Sequence, residues 1–238
     1  MFIPIKDDVP TLRRPYFTVG LIVINALVFM YSVTLGSRGF QLFTYQYGFI
    51  PYEIVNAIEL TPQLAASTYL TPFTSMFMHG GWLHLIGNML FLWIYGNNVE
   101  DYFGHLTFLL FYVLSGLCAV GLYTLFGPSS QVPMIGASGA IAGIMGAYMV
   151  LHPQARITVL FVFFFIQFMV IPAKVVLGLW FVYQIFMSMV GSSTGGGVAW
   201  MAHVGGFVFG WLLLKLLVRF KGPGVTGGGG QRVYRMQW

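Results

Sequence analysis

The stretch PMIGASGAIAGIMGAYMVL, residues 133–151, decides how this chain is read. It passes from Pro133 through Gly136-Ala137-Ser138-Gly139-Ala140 and continues apolar to Leu151. A helix from Ser138 to Leu151 is about 21 Å long at 1.5 Å per residue, well short of a bilayer core of roughly 30 Å. In lipid such a helix starts below the membrane surface, and the loop before it dips in after it. Irregular backbone at that depth is tolerated only where protein or a wet cavity surrounds it. The small residues around Ser138 leave room for something to approach its hydroxyl.

The composition says that lipid is the solvent. Of 238 residues, 58% are hydrophobic and 7% are charged. A soluble domain carries about 25% charged residues and needs them to cover its surface. The net charge of +5 does not indicate nucleic acid, because the basic residues sit in tails and loops rather than among stacking aromatics. The single cysteine, Cys118, lies in an apolar run and cannot form an intrachain disulfide. The charged start, with Lys6, Asp7, Asp8, Arg13 and Arg14, does not have the pattern of a cleaved signal peptide.

Working outward, six segments are apolar enough to cross a membrane. They run from about Tyr16 to Gly36, Trp82 to Tyr102, His105 to Phe126, Ser138 to Leu151, Ile171 to Val190 and Val198 to Val218. The predicted fold is an all-α membrane protein, a six-helix transmembrane bundle with both termini cytoplasmic. A long interfacial loop, about Ser37 to Gly81, joins the first two spans. Residues 1–15 read as a cytoplasmic tail, 16–220 as the domain and 221–238 as a Gly-rich disordered tail. The run Ile157 to Ile171 gives only about 22 Å of helix before Pro172, so it reads as an interfacial or half-buried stretch rather than a seventh span. Six spans put Lys6, Arg13, Arg14, Arg156, Lys174, Lys215, Arg219, Lys221, Arg232 and Arg235 on the cytoplasmic side and Arg38 alone outside.

Polar side chains inside spans are costly and mark function. Ser138 opens the fourth span, where its ordinary role would be to cap the helix. Free amides there could instead receive a developing oxyanion, with Gly136 supporting the loop backbone. His203 lies near the start of the sixth span, followed by Gly206 and Gly210, a pair that admits another helix closely. An imidazole there can be simple interhelical glue, or it can take a proton from serine near neutral pH. His79 precedes the second span, and His84 and Asn88 share one face of it. His84 and Asn88 can donate hydrogen bonds to an oxygen that becomes negative; the ordinary alternative is bundle glue, with His79 snorkelling at the interface. The second, fourth and sixth spans all run inward, so His84, Ser138 and His203 share a depth in the outer half of the membrane. A seventh span would separate His203 from Ser138.

These residues resemble the rhomboid family of intramembrane serine proteases. Gly136 to Gly139 looks like its nucleophile motif, and His203 with Gly206 and Gly210 like its Ala-His-x-x-Gly-x-x-x-Gly motif. His79, His84 and Asn88 match His-x-x-x-x-His-x-x-x-Asn, and Gly96, Glu100 and Gly104 match Gly-x-x-x-Glu-x-x-x-Gly. The resemblance covers about residues 16 to 220. It implies a serine endopeptidase with a Ser138–His203 dyad and no metal or cofactor. His84, Asn88 and the Ser138 amide would hold the oxyanion, and His79, Gly96, Glu100, Gly104, Gly206 and Gly210 would act in gating or structure. Substrates would be single-span membrane proteins with a helix-weakening site near the outer face. A prokaryotic inner membrane is the expected location.

Two departures stand out. The loop after the first span has no Trp-Arg pair, and Ala142 stands where some members place a tyrosine against the histidine. Tyr148 or Trp200 could take that place. The fifth span or an overlying loop is the expected gate, with Gly178, Gly191 and the stretch 192–197 as hinges. An aspartyl mechanism would need two aspartates in spans, and Asp7, Asp8 and Asp101 read as terminal or in a loop. A zinc mechanism would need His-Glu-x-x-His or its equivalent, which is missing. The rivals are a catalytically silent binder of membrane segments and, less well supported, a small transporter.

Overall fold

The computed structural model describes residues 2–60, 67–162, 165–191 and 199–221. The proposed hinge 192–197 and the Gly-rich tail from 222 lie outside the described residues. Helix α1 spans Tyr16–Thr34, α2 Gly36–Tyr47, α3 Pro51–Asn56 and α4 Thr71–Thr74. Helix α5 follows at Trp82–Phe103, α6 at His105–Phe126, α7 at Ser138–Leu151, α8 at Ala173–Gly191 and α9 at Trp200–Lys221. The segment expected as a long loop therefore contains three short helices, with 3-10 turns at Thr68–Leu70 and Ser75–Phe77.

Among the described residues, four helices, α1, α6, α8 and α9, are long and apolar enough to cross a membrane. Their outward faces carry Leu27, Leu106, Leu125, Leu179, Phe186 and Leu212, all exposed. Exposed apolar surface of that extent is unstable in water and normal in lipid. Helix α7 is the opposite case: Gly139 to Tyr148 are buried without a break. A helix apolar all round belongs at the centre of the bundle.

Glycine lets α7 sit there. A Cβ on Gly206 of α9 would collide with the Gly139 carbonyl, and one on Gly210 with the Gly143 carbonyl. Backbones this close gain dispersion contacts that lipid cannot replace. One residue, Gly104 at φ +76°, turns the chain from α5 into α6, a conformation that suits glycine.

The first helix is tied to α5 by carboxylates. Glu100 accepts hydrogen bonds from the Phe17 and Thr18 amides at 3.0 and 2.8 Å. Its side chain also meets His105 Nδ1 at 2.6 Å. Asp101 accepts from the Leu12 and Arg13 amides at 3.2 and 2.8 Å. Orphan amides at the start of α1 are thus satisfied by negative groups, which the helix dipole favours. Gly96 admits Thr18, whose side-chain atoms would lie 3.2 Å from a Cβ there. Asp101, expected at a terminus or in a loop, lies buried in the last turn of α5.

Two parts of the fold differ from the sequence expectation. Residues 157–171 are not an irregular stretch, and the fold is not purely helical. Strands β1 (Phe2–Lys6), β2 (Arg156–Val162) and β3 (Ile166–Pro172) form an antiparallel sheet in that order. Ile3 pairs with Leu160, and Val159 with Met169. The run is rich in β-branched and aromatic residues, which suit strands, and Ile157 and Val159 bury completely against the bundle. Second, residues 2–15 are not a free tail but are tied to the bundle. Asp7 accepts hydrogen bonds from the Tyr148 hydroxyl at 2.6 Å and the Asn98 amide at 2.7 Å.

Candidate functional site

Ser138 is the first residue of α7, and Ala137 precedes it as the cap residue. No side chain caps this helix, so the serine hydroxyl is free of the ordinary role of a serine at a helix start. Its Oγ lies 2.7 Å from His203 Nε2. The two residues are held there by the glycine contacts between α7 and α9, three residues beyond His203. Both side chains are half-buried.

The other face of the imidazole shows what sequence reasoning missed. His203 Nδ1 lies 2.8 Å from Gln184 Oε1 on α8. The Trp180 and Trp200 rings flank the imidazole, with centroids at 5.8 and 6.2 Å. Trp200 was one of the two residues expected to replace the tyrosine missing at Ala142. Tyr148, the other, faces Asp7 instead. It lies ten residues further along α7 from Ser138 and is therefore out of reach of His203. A lone amide in an apolar span was a readable signal for Gln184.

Gly136 adopts φ +127° just before the helix. A Cβ there would lie 2.8 Å from His84 Nε2 and 3.6 Å from Ser138 Oγ. The missing side chain therefore leaves a space between imidazole and hydroxyl about one heavy atom wide. The Gly80 amide points at His84 Nδ1, at 3.4 Å. That long hydrogen bond leaves the ring proton on Nε2, facing the space.

Asn88 is buried and its Nδ2 lies 2.9 Å from His79 Nε2. Burial, with His84 nearby, pushes His79 down to about 3, so its ring is neutral and accepts from the Asn88 amide. The His79 and His84 rings meet edge to face at 5.0 Å. His84, Ser138 and His203 thus gather at one end of the bundle, with Asn88 and His79 behind them. Gly96, Glu100 and Gly104 lie towards the other end of α5 and fasten α1 and α6, away from the hydroxyl. Among the described residues no group of His, Cys, Asp and Glu could hold a metal ion.

Comparison with known proteins places the chain in a family. A Rhomboid domain matches residues 66–220, well over half of the chain. "Rhomboid protein 1, mitochondrial" of Saccharomyces cerevisiae is 31% identical over 155 residues, covering 59% of this chain and 41% of the relative. "RHOMBOID-like protein 4" of Arabidopsis thaliana is 34% identical over 143 residues, covering 60% and 32%. "Rhomboid protease GluP" of Bacillus subtilis is 40% identical over 74 residues, covering 31% and 14%. The chain spans less than half the length of these curated relatives. With the domain matched from before the second predicted span to the end of the last, this chain belongs to the rhomboid family.

Proposed function

We propose that this chain is an intramembrane serine endopeptidase that cleaves single-span membrane proteins in the outer half of the bilayer. The observation that carries the reading is the 2.7 Å approach of Ser138 Oγ to His203 Nε2 beside a donor-lined space. A serine alone is a weak nucleophile, and an adjacent base is what activates it. Membership of a family that includes a named protease supports the same reading.

In the reaction, Ser138 Oγ attacks the scissile carbonyl carbon as its proton passes to His203 Nε2. The carbonyl oxygen becomes an oxyanion in the space beside Gly136. His84 Nε2–H, the Ser138 amide and the second Asn88 amide hydrogen are the donors assigned to it. Collapse breaks the C–N bond, and His203 returns its proton to the leaving amine. Water then attacks the acyl-enzyme, with His203 again as base, and regenerates the hydroxyl. No step needs a metal or a cofactor.

The finer topology belongs to the same proposal: six spans, both termini cytoplasmic, and the segment between α1 and α5 at the outer interface. Helices α5, α7 and α9 all begin at the His84–Ser138–His203 end, and the apolar α6 and α8 return the chain between them. That alternation supports counting the short α7 and the polar-ended α5 as spans.

Cleavage of a model single-span substrate in proteoliposomes tests the proposal. Ser138→Ala should abolish cleavage while insertion and thermal unfolding stay as in the unaltered protein. Continued turnover by that variant would remove Ser138 from the chemistry and favour a catalytically silent binder.

A further inference from the structure

We propose that Gln184 is a positioning residue that fixes the proton of His203 on Nδ1 and so leaves Nε2 free to act as base. The inference rests on the dyad reading and adds a neutral third member to it.

Helix α8 is a peripheral helix, and most of its apolar surface is not buried in the bundle. Gln184 nevertheless is 2% exposed. A buried amide in a membrane span is costly unless its oxygen and nitrogen both find partners. Both do. The Gln184 Nε2 donates to the Trp180 carbonyl one turn earlier, at 3.3 Å. A carbonyl can only accept, so this contact fixes which end of the amide faces the helix. The Oε1 is left facing His203 Nδ1 at 2.8 Å. An amide oxygen can also only accept, so Nδ1 must carry the proton. A neutral imidazole then has its lone pair on Nε2, 2.7 Å from Ser138 Oγ, and the hydroxyl is the donor in that contact.

The chain of directions runs one way: Ser138 to His203 to Gln184 to the Trp180 carbonyl. A carboxylate in this place would also direct the ring, but it would put a charge into the span. The amide selects the same tautomer without one. Packing keeps it in place, since Trp180 and Phe181 of α8 lie against Phe207 of α9, with ring centroids at 6.0 and 4.6 Å.

The test uses the full-length protein in detergent, with Gln184→Leu, Gln184→Glu, Ser138→Ala and His203→Ala. Three readouts are taken: the labelling rate with a small fluorophosphonate, kcat and KM on a single-span substrate, and the ¹⁵N shifts of labelled histidine. Gln184→Leu should slow labelling and kcat together by about tenfold or more, leave KM within about twofold, and lose the single Nδ1–H signature of His203. Gln184→Glu keeps an acceptor and should retain that signature and label within about threefold of the unaltered protein. An unchanged labelling rate in Gln184→Leu would overturn the inference. So would a lost rate with the tautomer intact, or no rescue by a folded Gln184→Glu, because both mark a merely structural role. Labelling that persists in Ser138→Ala or His203→Ala overturns the dyad reading itself; inactive dyad variants beside a fully active Gln184→Leu overturn only the role of Gln184.

Discussion

Gly206→Ala adds one methyl group at the closest approach of α7 and α9. The new Cβ would fall onto the Gly139 carbonyl, with the carbonyl carbon at 3.0 Å, where ordinary contact begins at 3.4 Å. The obstacle is backbone on both sides, so no side chain can swing away. Helix α9 must retreat by on the order of 1 Å, and a misplacement of that size costs about 100-fold in rate when it separates reacting groups. His203 sits one turn from the substitution, so its 2.7 Å approach to Ser138 takes most of the shift. Overpacking should also cost about 1–3 kcal/mol of stability. Fluorophosphonate labelling in detergent reads the first effect and thermal unfolding the second. Gly121→Ala is the control, because a Cβ there meets nothing within 4 Å. A labelling rate for Gly206→Ala within threefold of the control would refute the claim that glycine contact sets the dyad.

Three further outcomes follow from other contacts. Asn88→Ala should slow cleavage on the order of 100- to 1000-fold without eliminating it, as loss of one oxyanion donor does; an unchanged rate would leave Asn88 as the partner of His79 alone. Glu100→Ala strands the Phe17 and Thr18 amides and should cost about 3 kcal/mol in unfolding assays; no loss would deny that Glu100 fastens α1. Burial raises the Asp7 carboxyl above its ordinary 3.8, outweighing the hydrogen bond from Tyr148 that lowers it. The fold therefore favours the protonated acid: its stabilisation is complete below the ordinary value and is lost as pH rises through the raised one. Relative to Asp7→Asn, the unaltered protein should lose unfolding temperature across that window, and a gain would contradict the sign.

Much of the architecture is legible before any coordinates. The expected third and fourth spans coincide with α6 and α7, because Gly104, Gly127, Pro128 and Pro153 punctuate them. The contact of Ser138 with His203, 65 apart in sequence, was expected from the predicted span directions, which bring both residues to one end of the bundle. The hairpin at 156–172 was not legible. A short apolar run looks the same as strand or buried helix by periodicity, and its other partner, Phe2–Lys6, lies at the far end of the chain. For the same reason residues 2–15 read as a tail: their partners, Asn98, Asp101 and Tyr148, are distant in sequence. Gln184 escaped because it belongs to a span with no motif of its own. Its meaning depends on which face of α8 turns towards α9.

The most direct measurement is fluorophosphonate labelling of the purified protein beside Ser138→Ala and His203→Ala, with mass spectrometry to locate the adduct. Labelling of the unaltered chain at Ser138, and of neither variant, is the expected result. Labelling at another residue, or equal labelling of all three proteins, would contradict the pairing of this hydroxyl with this imidazole as the reactive centre.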